Sequence, residues 1–243
     1  DVPGLLSQLI RSAFIPAPGH MFVVVDFAAI EARVLAWAAG ETWRMEVFKT
    51  HGRIYEASAA EMFRVPIETI GKHSPLRQKG KIAELACGYH GGVGALIAMG
   101  ALKMGLKEED LPGIIEAWRA ANQNIMKFGY AMDKHAKRCL RSRLPTGVPG
   151  RYLFQYESGM LFMQLPSGRS LCYVKPRIEQ TGAFENITYD GADQTTKQWG
   201  RLETYAGKLL ENYTQATARD CLAVALPELE AAGLPIVGHV HDE

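Results

Sequence analysis

The sequence predicts an α+β fold, and three observations carry the prediction. Apolar residues recur at helical spacing over much of residues 27–140 and again over 200–226. Between them, residues 141–200 break into short β-prone pieces separated by Pro, Gly and Ser. Near each end, a β-prone run closes on an aspartate: residues 21–25 before Asp26, and 235–240 before His241-Asp242-Glu243. A strand with its helix first, and a helix with its strand last, describe one domain split by a long, mainly helical insertion.

Taken in order, residues 1–20 mix apolar positions with Pro16, Pro18 and Gly19 and read as a connection. After Asp26, Ile30, Val34, Leu35 and Ala38 repeat at helical spacing up to Gly40, a suitable left-handed stop. Residues 45–65 read as a second helix. Ser74-Pro75 offers an N-cap followed by proline at the first helical position, opening a helix that should run to about Tyr89. Gly88, Gly91, Gly92 and Gly94 then permit a turn before a short segment at 95–100. Their spacing fits neither a P-loop nor a dinucleotide fingerprint. Helical patterns fill about 110–140, and the β-prone pieces fall at 151–156, 161–165, 171–174 and 186–189. Residues 200–226 return to helix before the stretch from Pro227 to Gly233 and the final strand.

A chain of 243 residues can bury a substantial core. Its net charge of +1 excludes a global basic field, so any attraction to nucleic acid must be local. Cys87, Cys139, Cys172 and Cys221 include no Cys-x-x-Cys pair, which reads as reduced thiols and gives a structural zinc no support. No apolar run is long enough to span a bilayer and the amino end lacks a signal pattern, so no membrane partner is expected and the cytoplasm is the default location. The chain begins on Asp and stops one residue past Asp242, which reads as a piece of a longer protein.

Three groups of residues carry chemistry. Arg77, Lys81, Leu85 and Tyr89 fall at successive i+4 steps and share one helical stripe. This is either a solvated basic face or a clamp for an anion such as a triphosphate, with a flat ring two turns beyond. Asp26 and Asp242 would meet at adjacent strand ends if their strands lie side by side, an arrangement suited to two divalent cations around a phosphoryl group. Glu31, one turn into the helix after Asp26, points either back toward those carboxylates or into solvent.

Asp26-x-x-x-Ile30-Glu31-x-Arg33, then Arg77-x-x-x-Lys81 leading to Tyr89, then His241-Asp242-Glu243 occur in that order. Together they resemble motifs A, B and C of the family A DNA polymerases. Arg11-Ser12-Ala13-Phe14 resembles the lead-in to motif A, and Tyr205 through Asp220 the helix before motif C. The resemblance covers essentially the whole chain, most loosely over about 140–200. The Glu84-Leu85-Ala86 wording and the β-prone insert look closer to bacteriophage and prophage members than to the cellular repair enzyme.

The resemblance implies a palm (an antiparallel sheet with helices) built from residues 1–45 and 205–243, and mainly helical fingers over 46–204 with a β-rich insert at about 141–200. It implies template-directed DNA synthesis, with dNTP and primer-template DNA as partners, in a bacterial or phage-infected cell. A processivity or replisome factor would be a further partner of unknown identity. Asp26, Asp242 and the Phe27 carbonyl would hold two Mg2+ ions. Arg77 and Lys81 would clamp the triphosphate, Lys81 also being placed to protonate pyrophosphate. Tyr89 would pack at the nascent base pair, Glu31 would exclude a ribose hydroxyl, and Gln215 would read the minor groove. Arg11 and His241 would lie near the nucleotide and primer end, and Glu243 near the metals. Three residues depart from the family pattern: Leu85 stands where an aromatic is usual, Tyr55 where a phosphate-contacting His is common, and His90 where a Gly often follows the tyrosine. The competing readings are a single-subunit RNA polymerase, which Glu31 opposes, and a non-catalytic nucleic-acid-binding prophage remnant. Without a thumb, the fragment alone is expected to synthesise weakly or not at all.

Overall fold

The computed structural model describes residues 9–240. Helix α1 (Ile30–Ala39) buries Ile30, Val34, Leu35, Ala36 and Ala38 and stops on Gly40, whose φ of 68° makes the left-handed turn. The single helix expected over 45–65 is two, α2 (Thr42–Thr50) and α3 (Ile54–Phe63). They part at Gly52, where φ is again 68°.

Helix α4 (Pro75–Cys87) begins as the sequence predicts, with Ser74 Oγ accepting the Leu76 N–H at 3.2 Å. It ends two residues short of Tyr89, which lies in the following turn. Helices α5 (Val93–Ala98), α6 (Leu111–Ala121) and α7 (Gln123–Ser142) follow. Asn122 breaks α6 from α7, its buried amide donating to the Trp118 carbonyl at 2.8 Å. The last helix, α8 (Ala206–Ala231), runs through Pro227 rather than ending before it. Its end is closed by the N–H groups of Ala232 and Gly233 on the last turn's carbonyls.

The insert is one antiparallel meander: β1 (Thr146–Val148), β2 (Tyr152–Glu157), β3 (Met160–Gln164), β4 (Ser170–Thr181), β5 (Phe184–Ala192) and β6 (Trp199–Thr204). Phe154 opposes Met163, and Ile178 opposes Ile187. The register shifts between Val174 and Arg177, where Pro176 has no N–H to donate. That bulge explains why the sequence shows only the first part of β4. Buried Tyr152, Phe154, Leu161 and Met163 join Ile125 and Met132 of α7 and Leu209 and Tyr213 of α8 in one core. Edge-on rings weld the layers, with Tyr152 at 5.5 Å from Phe128 and 6.2 Å from Tyr213.

The strands expected at 21–25 and 235–240 do not form. Val23, Val24, Val25, Val237 and Val240 are exposed, so neither run has a ladder partner or a covering layer, and a lone two-stranded ribbon is marginal without them. The antiparallel sheet of this chain is therefore the insert, and a palm sheet built from both ends is absent among the described residues. Helices α1 and α8 do meet, through Ile30, Val34 and Ala218.

Helices α3 and α4 approach so closely that a Cβ on Gly80 would stand 2.2 Å from the Tyr55 carbonyl oxygen and 3.1 Å from Ala59 Cβ. Gly113 in α6 has open space around its Cβ position. Gly80→Ala is expected to cost ~1–3 kcal/mol in urea denaturation, as overpacking does. Gly113→Ala should be neutral or stabilising by up to ~1 kcal/mol.

Candidate nucleotide-binding site

The close packing of α3 on α4 sets Tyr55 beside the two motif cations. Arg77 Cζ lies 5.4 Å and Lys81 Nζ 6.0 Å from the centre of the Tyr55 ring. Buried Glu56 accepts from Arg77 Nε at 2.9 Å and stands 3.8 Å from Arg53. Among the described residues, Lys81 has no carboxylate within 4.0 Å, so it is the less neutralised of the two motif cations. Burial, then the Glu84 charge, raises the pKa of the Tyr55 hydroxyl against the opposing pull of Arg77.

Behind this face lies a buried polar hub. The Arg44 and Glu84 side chains are 1% and 5% exposed. Arg44 Nη1 donates to Glu84 Oε1 at 2.8 Å, and Nη2 makes a short bond to Oε2. Ser58 Oγ and Trp118 Nε1 also donate to Oε1, at 2.7 and 2.8 Å. Asn122 Oδ1 accepts from Arg44 Nη1 at 3.0 Å. The hub thus joins α2, α3, α4, α6 and the α6–α7 junction.

On the opposite side, the Tyr89 hydroxyl donates a short bond to Glu31 Oε2. Burial first, and then this bond and the Glu31 charge, push the phenol far above its usual range. The Tyr89 backbone is pinned as well, because its carbonyl oxygen would lie 2.4 Å from a Cβ on Gly207. Only glycine lets the start of α8 come so near.

A cavity of about 270 Å³ opens between these groups, and Glu31, Leu35, Tyr55, Glu84, Leu85 and Tyr89 help to line it. The structure therefore brings Glu31, Tyr55, Leu85 and Tyr89 to one cavity, with Arg77 and Lys81 at the Tyr55 ring. Gln215 is exposed on α8. Asp26 is exposed at the end of an unpaired segment, and the Phe27 carbonyl accepts the Ile30 N–H at 3.3 Å. Arg11 opens a 3-10 turn (Arg11–Ala13); its side chain, and His241, Asp242 and Glu243, lie outside the described residues. Among the described residues, no group of three or more His, Cys, Asp or Glu is placed to hold a metal.

The hub was not singled out by the sequence as a site. Its signal is a charged residue at a core-facing position of each of two helices: Glu84 beside buried Ala83 and Ala86, and Arg44 within α2. Such residues persist inside only when paired.

A family model described as DNA polymerase family A matches residues 4–151, more than half of the chain. The chain belongs to the family A DNA polymerases. Within that family it is 59% identical, over its full length, to a DNA polymerase of Bacillus phage SP02, of which it spans 38%. It is 25% identical to a DNA polymerase of Mycobacterium phage D29, over 53% of this chain and 20% of that protein. Against the thermostable DNA polymerase I of Thermus aquaticus it is 40% identical over 27% of this chain and 8% of that one. The full-length match agrees with the phage character expected from residues 84–86 and the insert.

Removing one member of the hub should unsettle all of it. Arg44→Met is expected to lower stability by ~3–5 kcal/mol, because Glu84 is left as a buried charge without its counter-ion. Denaturant unfolding followed by Trp fluorescence measures this. The Tyr89–Glu31 bond gives a pH signature. The phenol pKa is raised on folding, so its contribution is complete below about pH 10, the unfolded value, and is lost as pH rises through the folded one. The stability difference between wild type and Tyr89→Phe should be constant from about pH 7 to 9 and shrink above about pH 10.

Proposed function

We propose that this chain supplies the nucleotide-binding part of a DNA-directed DNA polymerase, which transfers dNMP from dNTP to a primer 3′-hydroxyl. The observation that carries the reading is the cavity on which Glu31, Tyr55, Leu85 and Tyr89 converge, with Lys81 and Arg77 at the Tyr55 ring. Family membership supports the same activity. In this reading residues 46–204 form fingers, and 1–45 and 205–243 contribute to a palm.

Lys81 and Arg77 hold the triphosphate, Lys81 as a point charge and Arg77 as a fork already oriented by Glu56. Tyr55 packs beside both cations and helps to fix their direction. Lys81 is the proton donor to the departing pyrophosphate. Tyr89 presents its ring to the new base pair while its hydroxyl fixes the Glu31 carboxylate. Glu31 held in this way closes the space in which a ribose 2′-hydroxyl would sit. Gln215, exposed on α8, contacts the minor groove of the primer-template duplex.

The donors fit magnesium: the Asp26 carboxylate and the adjacent Phe27 carbonyl are hard oxygen ligands, and Asp26 is open to solvent. Asp26, Phe27 and Asp242 would hold the ions. When bound, Mg2+ lowers the cost of the negative charge developing between the attacking and leaving oxygens.

A ribonucleotide-using enzyme is the second reading, and the Glu31–Tyr89 bond opposes it. Primer extension on a primed template, with the complete polymerase, tests both. dNTP is expected to be used in preference to rNTP, Asp26→Ala to abolish extension, and Lys81→Ala to slow it by about 100-fold or more. Glu31→Ala should narrow the preference for dNTP. Preferred use of rNTP by the wild type, or undiminished extension by Asp26→Ala, contradicts the proposal.

A further inference from the structure

Helix α7 carries a basic face that the nucleotide site does not use. Lys127, Tyr130, Lys134, Arg138 and Arg141 follow at steps of three and four residues, and all five are exposed. At 100° per residue they fall within an arc of about 80°, along about 21 Å of helix. Two neighbouring charges have partners: Asp133 takes Lys137 and Glu185 takes Arg141, both at 2.6 Å. Lys127, Lys134 and Arg138 have no carboxylate within 4.0 Å among the described residues. Lys134 and Arg138 stand one turn apart, where like charges repel. The field reaches inward, since burial and then Arg138 and Lys134 hold the His135 pKa down.

The stripe also begins at the site. The Tyr130 ring, 59% exposed, lies 4.8 Å from the His90 ring, and His90 directly follows Tyr89. Gly129 makes this contact possible, because a Cβ there would come within 2.5 Å of His90 Nε2. An aromatic face next to the end of α4, followed by a row of uncompensated cations, is the composition that holds single-stranded nucleic acid: stacking for a base, charge for phosphates.

We propose that this face of α7 carries the unpaired template strand as it approaches Tyr89, with Tyr130 under a base and Lys127, Lys134 and Arg138 on phosphates spaced along it. The stripe is as long as about six nucleotides of a strand kept in stacked form, at the ~3.4 Å rise that each strand has in a duplex. The proposal rests on the DNA-synthesis reading of the site next to it.

The test is equilibrium binding of fluorescent primer-templates to the polymerase, which needs no catalysis. Two templates share one duplex and carry 5′ overhangs of one or ten nucleotides. Wild type should bind the long overhang more tightly. A variant with Lys127→Gln, Lys134→Gln and Arg138→Gln should lose that gain, weakening the long overhang by ~tenfold or more at low salt, with the salt slope reduced by about 2. Tyr130→Leu should weaken it about fivefold with the slope unchanged. Both variants should bind the short overhang as wild type does, which separates the effect from misfolding. Equal binding of the long overhang by wild type and the triple variant, with the same slope, overturns the proposal. If wild type binds neither primer-template, the DNA-synthesis reading itself fails, and the stripe with it.

Discussion

Glu84 sits inside the helical half of the molecule with three kinds of donor turned toward it: the Arg44 guanidinium, the Ser58 hydroxyl and the Trp118 indole. Leaving water costs a carboxylate several kcal/mol, and only a complete set of partners offsets that. The condition is restrictive, because the donors come from α2, α3 and α6 while the acceptor is on α4. Each helix must be at one height and one rotation for the bonds to close. A purely apolar contact would tolerate sliding by a fraction of a turn; this set of bonds does not.

The consequences reach the site through the other faces of the same helices. Fixing α3 against α4 sets Tyr55 and Glu56 opposite Arg77 and Lys81, and the bare backbone of Gly80 permits the approach. Glu84 also lines the cavity, so the residue at the pivot of the core is part of that cavity's wall. The second anchor is at the end of α4. There the Tyr89 side chain is held by Glu31 of α1, and its backbone by the close approach of Gly207 of α8. The turn after α4 is thus fastened from two helices remote from it in sequence. Farther out, the sheet rests on α7 and α8 and reaches α8 through Arg169, which pairs with Asp220 at 2.7 Å.

What could be read in the sequence was what depends on local pattern. The start of α4 was plain because Ser74 and Pro75 determine it within two residues, and the end of α1 because Gly40 supplies a left-handed turn. The i+4 steps from Arg77 through Lys81 to Leu85 marked out α4, though Tyr89 falls in the turn after it, and the ordered motifs identified the family. What could not be read depends on partners. The gap between α2 and α3 turns on Gly52, which takes a positive φ within the short polar stretch 49–53, and helical apolar spacing on either side does not announce it. Strand β6 (Trp199–Thr204) shows little alternation and owes its place to the ladder with β5. The runs at 21–25 and 235–240 are rich in β-branched residues, yet a strand needs a neighbour, and composition does not supply one. The hub was hidden for the opposite reason. Its residues look like surface charges until four helices are folded around them.

If Glu84 is the pivot, the helices that meet on it should open as one unit. Amide hydrogen exchange of wild type and Glu84→Gln, compared residue by residue, measures this. Protection is expected to fall by a similar free energy across α2, α3, α4 and α6 while β2 to β5 keep theirs. A loss confined to the amides next to residue 84, or spread evenly over helices and sheet alike, would contradict it.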